Sequence, residues 1–274
     1  MADSSGGPEA SGEPAAPIPL RPGYGEGAYR RSIRLEARDD LVEAELADDF
    51  HRFAVRVRHD GARVLEIEAR DVRVPWTSCP GAVAPIRALE GEPLTRELHA
   101  IVRASDPATQ CTHILDLASV AIAHAARVRE GGAVRRHYAA WLPDRVGGVT
   151  RPTLRVDGEL ALRWTIEGAK VVEADPDRFV GLGLQGRGFG RFLIRDLVGE
   201  PDLAEAASVL RRAIFIGMGR RYAFDEIKEA RSFARVVGSA CHTFHPDRVD
   251  AARRVVGSVR DFPDPDVDPL DAAD

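Results

Sequence analysis

Four side chains in the first half of the chain have the types that a metal ion or a nucleophilic centre requires: His51, Cys79, Cys111 and His113. Cys111-Thr112-His113 sets a thiol and an imidazole two residues apart at what reads as a helix start. Side chains at that spacing point the same way only where the backbone is extended, as in a loop entering a helix. A helix N-terminus favours the thiolate, which is the ligand form of cysteine. Cys79 precedes another expected helix, and His51 lies at an expected strand start. Two sulfurs and two imidazoles suit tetrahedral zinc, or iron. With all four bound such a site is closed and structural; with one ligand off, water or substrate enters and the ion acts as a Lewis acid. On the helix after Cys111, Asp116 and His124 are candidate catalytic residues, as orienting groups or a general base. His124 follows His113 by eleven residues, about three helical turns, so the two could share a face. Two other readings stand beside this one. Cysteine is often just a small buried hydrophobe, and these residues lack the short CxxC spacing that specifies zinc. Alternatively Cys111 or Cys79 is a nucleophile activated by His113 or His51.

Other motifs carry less. His242 and His245, in Cys241-His242-Thr243-Phe244-His245, could meet on one helix face, but Pro246 ends any helix there, so a partly buried turn is expected. Gly181-Leu182-Gly183-Leu184-Gln185-Gly186 spells GxGxxG without a good preceding strand, and Gly188 and Gly190 break the helix that should follow. It reads as a glycine loop rather than a dinucleotide site. Arg211-Arg212 with Arg220-Arg221 reads as the solvated face of a helix, or as a clamp for a carboxylate or phosphate. No Gly-x-Ser-x-Gly elbow and no Walker loop is present.

The elements that must position these residues follow from periodicity. Ser32–Arg38, Leu41–Leu46, Phe50–Arg58 and Val64–Ala69 alternate with period two, and Asp60-Gly61 is a hairpin turn, so an antiparallel meander of about four strands is expected. Pro80 and Gly91 bracket a helix over Ala82–Leu89. Ile114, Leu117, Ala118, Ala121, Ile122 and Ala125 form a stripe at spacings of three and four, a longer helix ending near Gly131-Gly132. The same order recurs: strands over 138–142, 153–156 and 160–166, then a helical stripe through Leu203, Ala206, Ala207, Leu210 and Ile214, with Asp202 as N-cap and Gly217 or Gly219 as stop. Strands followed by helices, twice, predict an α+β fold: an antiparallel β-meander followed by helices, the pattern repeated in a second half. The expected divisions are a disordered tail over 1–28, an N-terminal α+β domain over 29–132 with the Cys/His motif, a C-terminal α+β half over 133–262 and a disordered tail over 263–274.

The 274 residues are 44% hydrophobic and 30% charged, which excludes disordered, collagen-like and coiled-coil classes. The net charge of −5 argues against nucleic acid as a partner, and no apolar run reaches membrane-spanning length. Three cysteines are too few for a secreted disulfide scaffold, and Met1-Ala2-Asp3-Ser4-Ser5 starts no signal peptide, so the cytoplasm is expected. Lys170 and Lys228 are the only lysines, an arginine bias typical of GC-rich bacterial genes.

Arg30-Arg31-Ser32-Ile33, Asp48-Asp49-Phe50-His51, Pro75-Trp76-Thr77-Ser78-Cys79-Pro80-Gly81-Ala82 and Cys111-Thr112-His113-Ile114-Leu115-Asp116 together resemble DUF2889, a bacterial family of unknown function. Leu210–Ile214 and Arg253–Phe262 look like its longer members, so the resemblance spans roughly residues 30–262. It implies no activity. It does imply that His51, Cys79, Cys111 and His113 are the recurring polar residues of the motif, which favours a site over packing. The family pattern has an aromatic after the cysteine near residue 241; His242 stands there, so no family role carries to His242 or His245. The functional expectation is a cytoplasmic bacterial protein binding zinc or iron through a Cys2His2-type site and acting on a small organic substrate. The alternatives are a non-catalytic module for a small ligand or protein, with structural cysteines, and a cysteine-nucleophile enzyme. The partner expected is a small molecule, not nucleic acid or membrane, with oligomeric state open.

Overall fold

Alternating apolar and polar residues build the sheet that carries the site. In the computed structural model, which describes residues 17–106, 109–238 and 241–272, β1 (Ala28–Arg38), β2 (Leu41–Asp48), β3 (Arg52–His59) and β4 (Val64–Arg73) form an antiparallel meander. Tyr29, Ile33 and Leu35 of β1, Val42, Ala44 and Leu46 of β2, and Phe53, Val55 and Val57 of β3 face inward and are buried. Arg30, Arg34, Glu36, Glu43 and Arg56 take the opposite face, as the strand period requires.

β5 (Arg135–Pro143), β6 (Val149–Thr150), β7 (Thr153–Val156), β8 (Glu159–Glu167) and β9 (Lys170–Asp175) extend the same sheet in the order β4-β3-β2-β1-β5-β7-β8-β6, with β9 also on β8. Asp157 and Gly158 both have positive φ, the two-residue turn that matches strand twist between β7 and β8. The helices are α1 (Leu98–Arg103), α2 (Thr112–Arg129), α3 (Gly188–Asp196), α4 (Pro201–Gly217) and α5 (Ala230–Val237). α2 packs on β1–β3 and α4 on β5, β1, β7 and β8, so the two long helices cover the inner face. Gly217 permits the approach of α4: a Cβ there would lie 2.9 Å from the Tyr29 ring and would also strike Leu142. No helix among the described residues is long and apolar enough to cross a membrane.

The fold is α+β, as expected, with several differences in detail. The expected division near residue 132 is not a break in the sheet, because β1 pairs with β5 from Ala28↔Pro143 to Glu36↔Arg135, and one core runs through both halves. A second, smaller core gathers Trp76, Cys79, Ile227, Ala230, Phe233 and Phe244 with Val249 and Ala252. The helix expected over 82–89 is two 3-10 turns, Cys79–Ala82 and Ala84–Leu89, with Pro85 opening the second without an amide to donate. α4 begins at Pro201, and Asp202 does not cap it, because its carboxylate binds Arg96, Arg127 and Arg136.

The expected tails also differ. Residues 1–16 of the first lie outside the described residues. In the rest, Leu20 pairs with Tyr222, and the Arg21 amide donates to the Arg221 carbonyl. Residues 264–272 lie as a strap on the outer face of the sheet. Arg34 binds Asp268 and Asp271, Arg30 donates to the carbonyls of Pro265 and Val267, and Leu270 is buried. An Asp- and Pro-rich segment is held wherever enough arginines converge on it. Burial alone would raise the Asp268 carboxyl, but hydrogen bonds from His137, the Leu270 amide, Ser32 and Arg34 hold it well below the usual carboxylate range. A carboxylate depressed in the folded state contributes stability above its unfolded value, and that contribution is lost as pH falls through the folded value. The strap is therefore expected to lose amide protection progressively as pH falls below about 4, ahead of β1–β3, in pulsed hydrogen exchange. Equal protection of strap and sheet across that range would contradict the account.

Candidate metal centre

The turn between β2 and β3 places the first two groups. Asp48 ends β2 at an inward position, after Val42, Ala44 and Leu46, and its cross-strand neighbour is Arg31, also inward. A carboxylate and a guanidinium thus sit at the end of an otherwise apolar layer, with Arg31 Nη1 3.7 Å from Asp48 Oδ2. Asp48 Oδ1 accepts from the Phe50 and His51 amides, both at 2.8 Å, and this bends the chain so that His51 faces back toward β2. The same oxygen lies 3.0 Å from His51 Nδ1, and Oδ2 accepts from the Tyr29 hydroxyl at 2.9 Å. Buried Arg73 fixes the turn by donating to the carbonyls of Asp48 at 2.7 Å and His51 at 3.2 Å.

His113 arrives from the first turn of α2. Cys111 at the N-cap is extended (φ −76°, ψ 123°), and its Sγ lies 3.9 Å from His113 Nδ1. The His51 and His113 rings stack with centroids 3.8 Å apart, flanked by Phe53. One donor atom from each of Asp48, His51 and His113 falls within 4.8 Å of the others, the only such group of three among the described residues. His113 Nε2 is buried and has no hydrogen-bond partner.

Electrostatics fit neutral imidazoles beside a charged carboxylate. Burial lowers His51 against the pull of Asp48, and burial with the cations His51 and Arg31 would present lowers His113 well below the ordinary value. Burial would raise Asp48, but His51, Arg31 and His113 outweigh it and hold the carboxyl well below the usual range. Tyr29 is raised well above its ordinary value by burial and by Asp48, so it stays a donor.

His51 and His113 form part of the wall of a cavity of about 570 Å³, the size of a small-molecule site, whereas Asp48 does not line it. Aromatic side chains dominate the wall, including Trp76, Phe224, Phe233 and Phe244. A larger groove of about 1330 Å³ runs past Arg34, Glu43, Arg56 and Glu68 on the outer sheet; its charges of both signs are those of a solvated face.

All four residues expected as ligands, His51, Cys79, Cys111 and His113, line this one cavity. The donor group within 4.8 Å is different, however: Asp48 joins the two histidines, and neither Cys79 nor Cys111 belongs to it. Cys79 Sγ is instead 3.4 Å from Thr243 Oγ1. Nor does the helix start activate Cys111: burial, with Cys241 and Cys79 adding to it, raises its thiol, and burial pushes Cys79 up to about 11. Protonated thiols are weak nucleophiles, which weighs against cysteine catalysis. Asp116 pairs with Arg212 beside the cavity. His124 lies at the far end of α2, about 16 Å along the axis from His113. Its ring is engaged by the Val134 carbonyl at 3.0 Å and Arg127 at 3.1 Å, so it belongs to the Arg127–Glu205 network and not to the cavity. The Gly181–Gly186 loop does not line the cavity, whereas Cys241 and His242 do. Asp48 was detectable in the sequence as a charge that interrupts the inward alternation of β2.

No curated protein matches the chain. Residues 31–127, the stretch that carries Asp48, His51, Cys79, Cys111 and His113, match the family model described as Protein of unknown function (DUF2889), and the 274-residue chain is in keeping with a longer member of that family.

Proposed function

We propose that the protein binds a divalent transition metal, zinc or iron, at Asp48, His51 and His113, and uses it on a small organic substrate held in the aromatic cavity. The observation that carries this reading is the convergence of one carboxylate and two neutral imidazoles within 4.8 Å, with both imidazoles on the cavity wall. A carboxylate with two histidines is a donor set for zinc or iron(II) that leaves coordination positions open. The partnerless His113 Nε2 supports it, since a buried ring nitrogen without a partner costs free energy that a ligand bond would recover. Asp48 Oδ1 also lies 3.0 Å from His51 Nδ1, so an ion taking the place of the proton between them would meet both groups. The ion would supply Lewis acidity. The chain's own part is to exclude water with aromatic walls and to hold the imidazoles neutral.

A second reading rests on Asp48 already accepting from two amides, His51 and Tyr29. In it the Asp48–His51 pair acts without metal, and His51 Nε2 takes a proton from the substrate.

Elemental analysis of the natively purified full chain separates the two. About one equivalent of zinc or iron per chain is expected, falling below about a tenth in His113→Ala. A wild type that is metal-free as purified, and that takes up neither Zn²⁺ nor Fe²⁺ in calorimetric titration, would sink the metal reading in favour of the metal-free pair.

A further inference from the structure

The cavity wall is cationic although the chain carries a net charge of −5. Its lining includes Arg212, Arg221 and Arg254 and no aspartate or glutamate. Arg212 is neutralised by Asp116. Arg254 pairs with Asp225 but keeps one nitrogen unspent, and Arg221 has no ion pair among the described residues. Arg254, whose side chain is only 1% exposed, has Nε 3.2 Å from Asp225 and donates from Nη1 to the Pro75 carbonyl at 3.1 Å, while Nη2 is buried without a partner. Its guanidinium lies 5.6 Å from the Trp76 ring and 5.2 Å from the Phe224 ring. Exposed Arg221 stacks over Tyr222 at 5.1 Å and has no ion pair among the described residues.

A buried guanidinium N–H without an acceptor is costly, and arginine is the side chain best shaped to receive a carboxylate. Aromatic walls around it favour a flat apolar body. We propose that the cavity takes a small aromatic carboxylic acid, with its ring among Trp76, Phe224 and Phe233, its carboxylate on Arg254 and Arg221, and its remainder toward His51 and His113. A phosphate ester fits less well, because Arg212 and Arg254 already spend donors on Asp116, Asp225 and the Pro75 carbonyl, which leaves few for a dianion. This inference rests on the cavity being the substrate site proposed above and adds the class of substrate.

The test is calorimetric titration of the full chain with benzoate, phenylacetate and cinnamate, each beside its neutral amide. Each acid is expected to bind at least tenfold more tightly than its amide. Arg254→Gln and Arg221→Gln should each weaken the acid about tenfold and leave the amide unchanged, a loss of the size of one charge-assisted hydrogen bond. Arg221 is exposed, so its variant keeps the test decisive if Arg254→Gln does not fold. Acids and amides binding alike, or neither binding, would overturn the inference. Neither result touches the metal reading, which elemental analysis decides separately; conversely, a metal-free protein that still prefers acids would retain this inference and lose that reading.

Discussion

Arg220→Met is expected to destabilise the fold by about 3–5 kcal/mol, the usual cost of removing one partner from a buried ion pair. Arg220 is buried among three carboxylates from distant parts of the chain: Asp49 after β2, Asp144 after β5 and Asp261 near the C-terminus. Asp49 and Asp144 are as buried as the guanidinium, at 0% and 2% side-chain exposure, so neither could turn to water once the arginine is gone. Asp144 also accepts from the Gly25 and Gly27 amides, so the segment leading into β1 would loosen as well. The three carboxylates raise Arg220 above its ordinary value despite burial, and so keep it charged at every pH at which the protein folds. Urea unfolding gives the measurement. The double variant Arg220→Met/Asp49→Asn should recover part of the loss, because it removes one stranded charge. A loss below about 1 kcal/mol would mean that water replaces the guanidinium at little cost.

Asp48→Asn should strike both fold and site. The side chain keeps its shape and loses its charge, which leaves Arg31 buried without a counter-ion 3.7 Å away. A loss of about 3 kcal/mol or more is expected from that alone. The amide must also place either its oxygen toward the Phe50 and His51 amides or its NH2 toward them, and only the first keeps the turn. The centre loses its one charged ligand, so metal affinity should fall by at least the roughly 10–100-fold that losing an outer-shell partner costs, even where the protein still folds. Asp48→Asn/Arg31→Met would separate the effects: stability should return and metal binding should not. If the double variant bound zinc like the wild type, Asp48 would have no part in the centre.

The sheet and its two long helices were legible because their signals are local. Period two in β1–β3 and the stripe of α2 are written within a dozen residues each, and the inner layer follows from them. His51 and His113 were legible by residue type. Asp48 carries a weaker signal, a charge at an inward position of β2, because an aspartate in Asp48-Asp49-Phe50 also reads locally as turn chemistry; its role depends on Tyr29, Arg31 and His113, which other elements bring to it. The cysteines line the cavity outside the donor group, and a thiol's packing among Thr243 and aromatic rings leaves no mark in the spacing of Cys79 and Cys111. The strap was hidden for the converse reason. Asp264–Asp271 has the composition of a solvated tail, and the arginines that hold it, Arg30 and Arg34, lie more than 230 residues earlier.

The smaller core has a bearing on traffic through the cavity. Phe233 and Phe244, which help close it, rest with Ile227, Val249 and Ala252 on a patch separate from the interior that binds the sheet to α2 and α4. A patch of that size yields at a lower free energy than the whole molecule. Loosening this corner alone would open the cavity, like a hatch on its own frame, while the imidazoles stay seated. The imidazoles lie within residues 31–127 and most of that corner beyond them, so the corner can vary in sequence without touching the residues that carry the imidazoles.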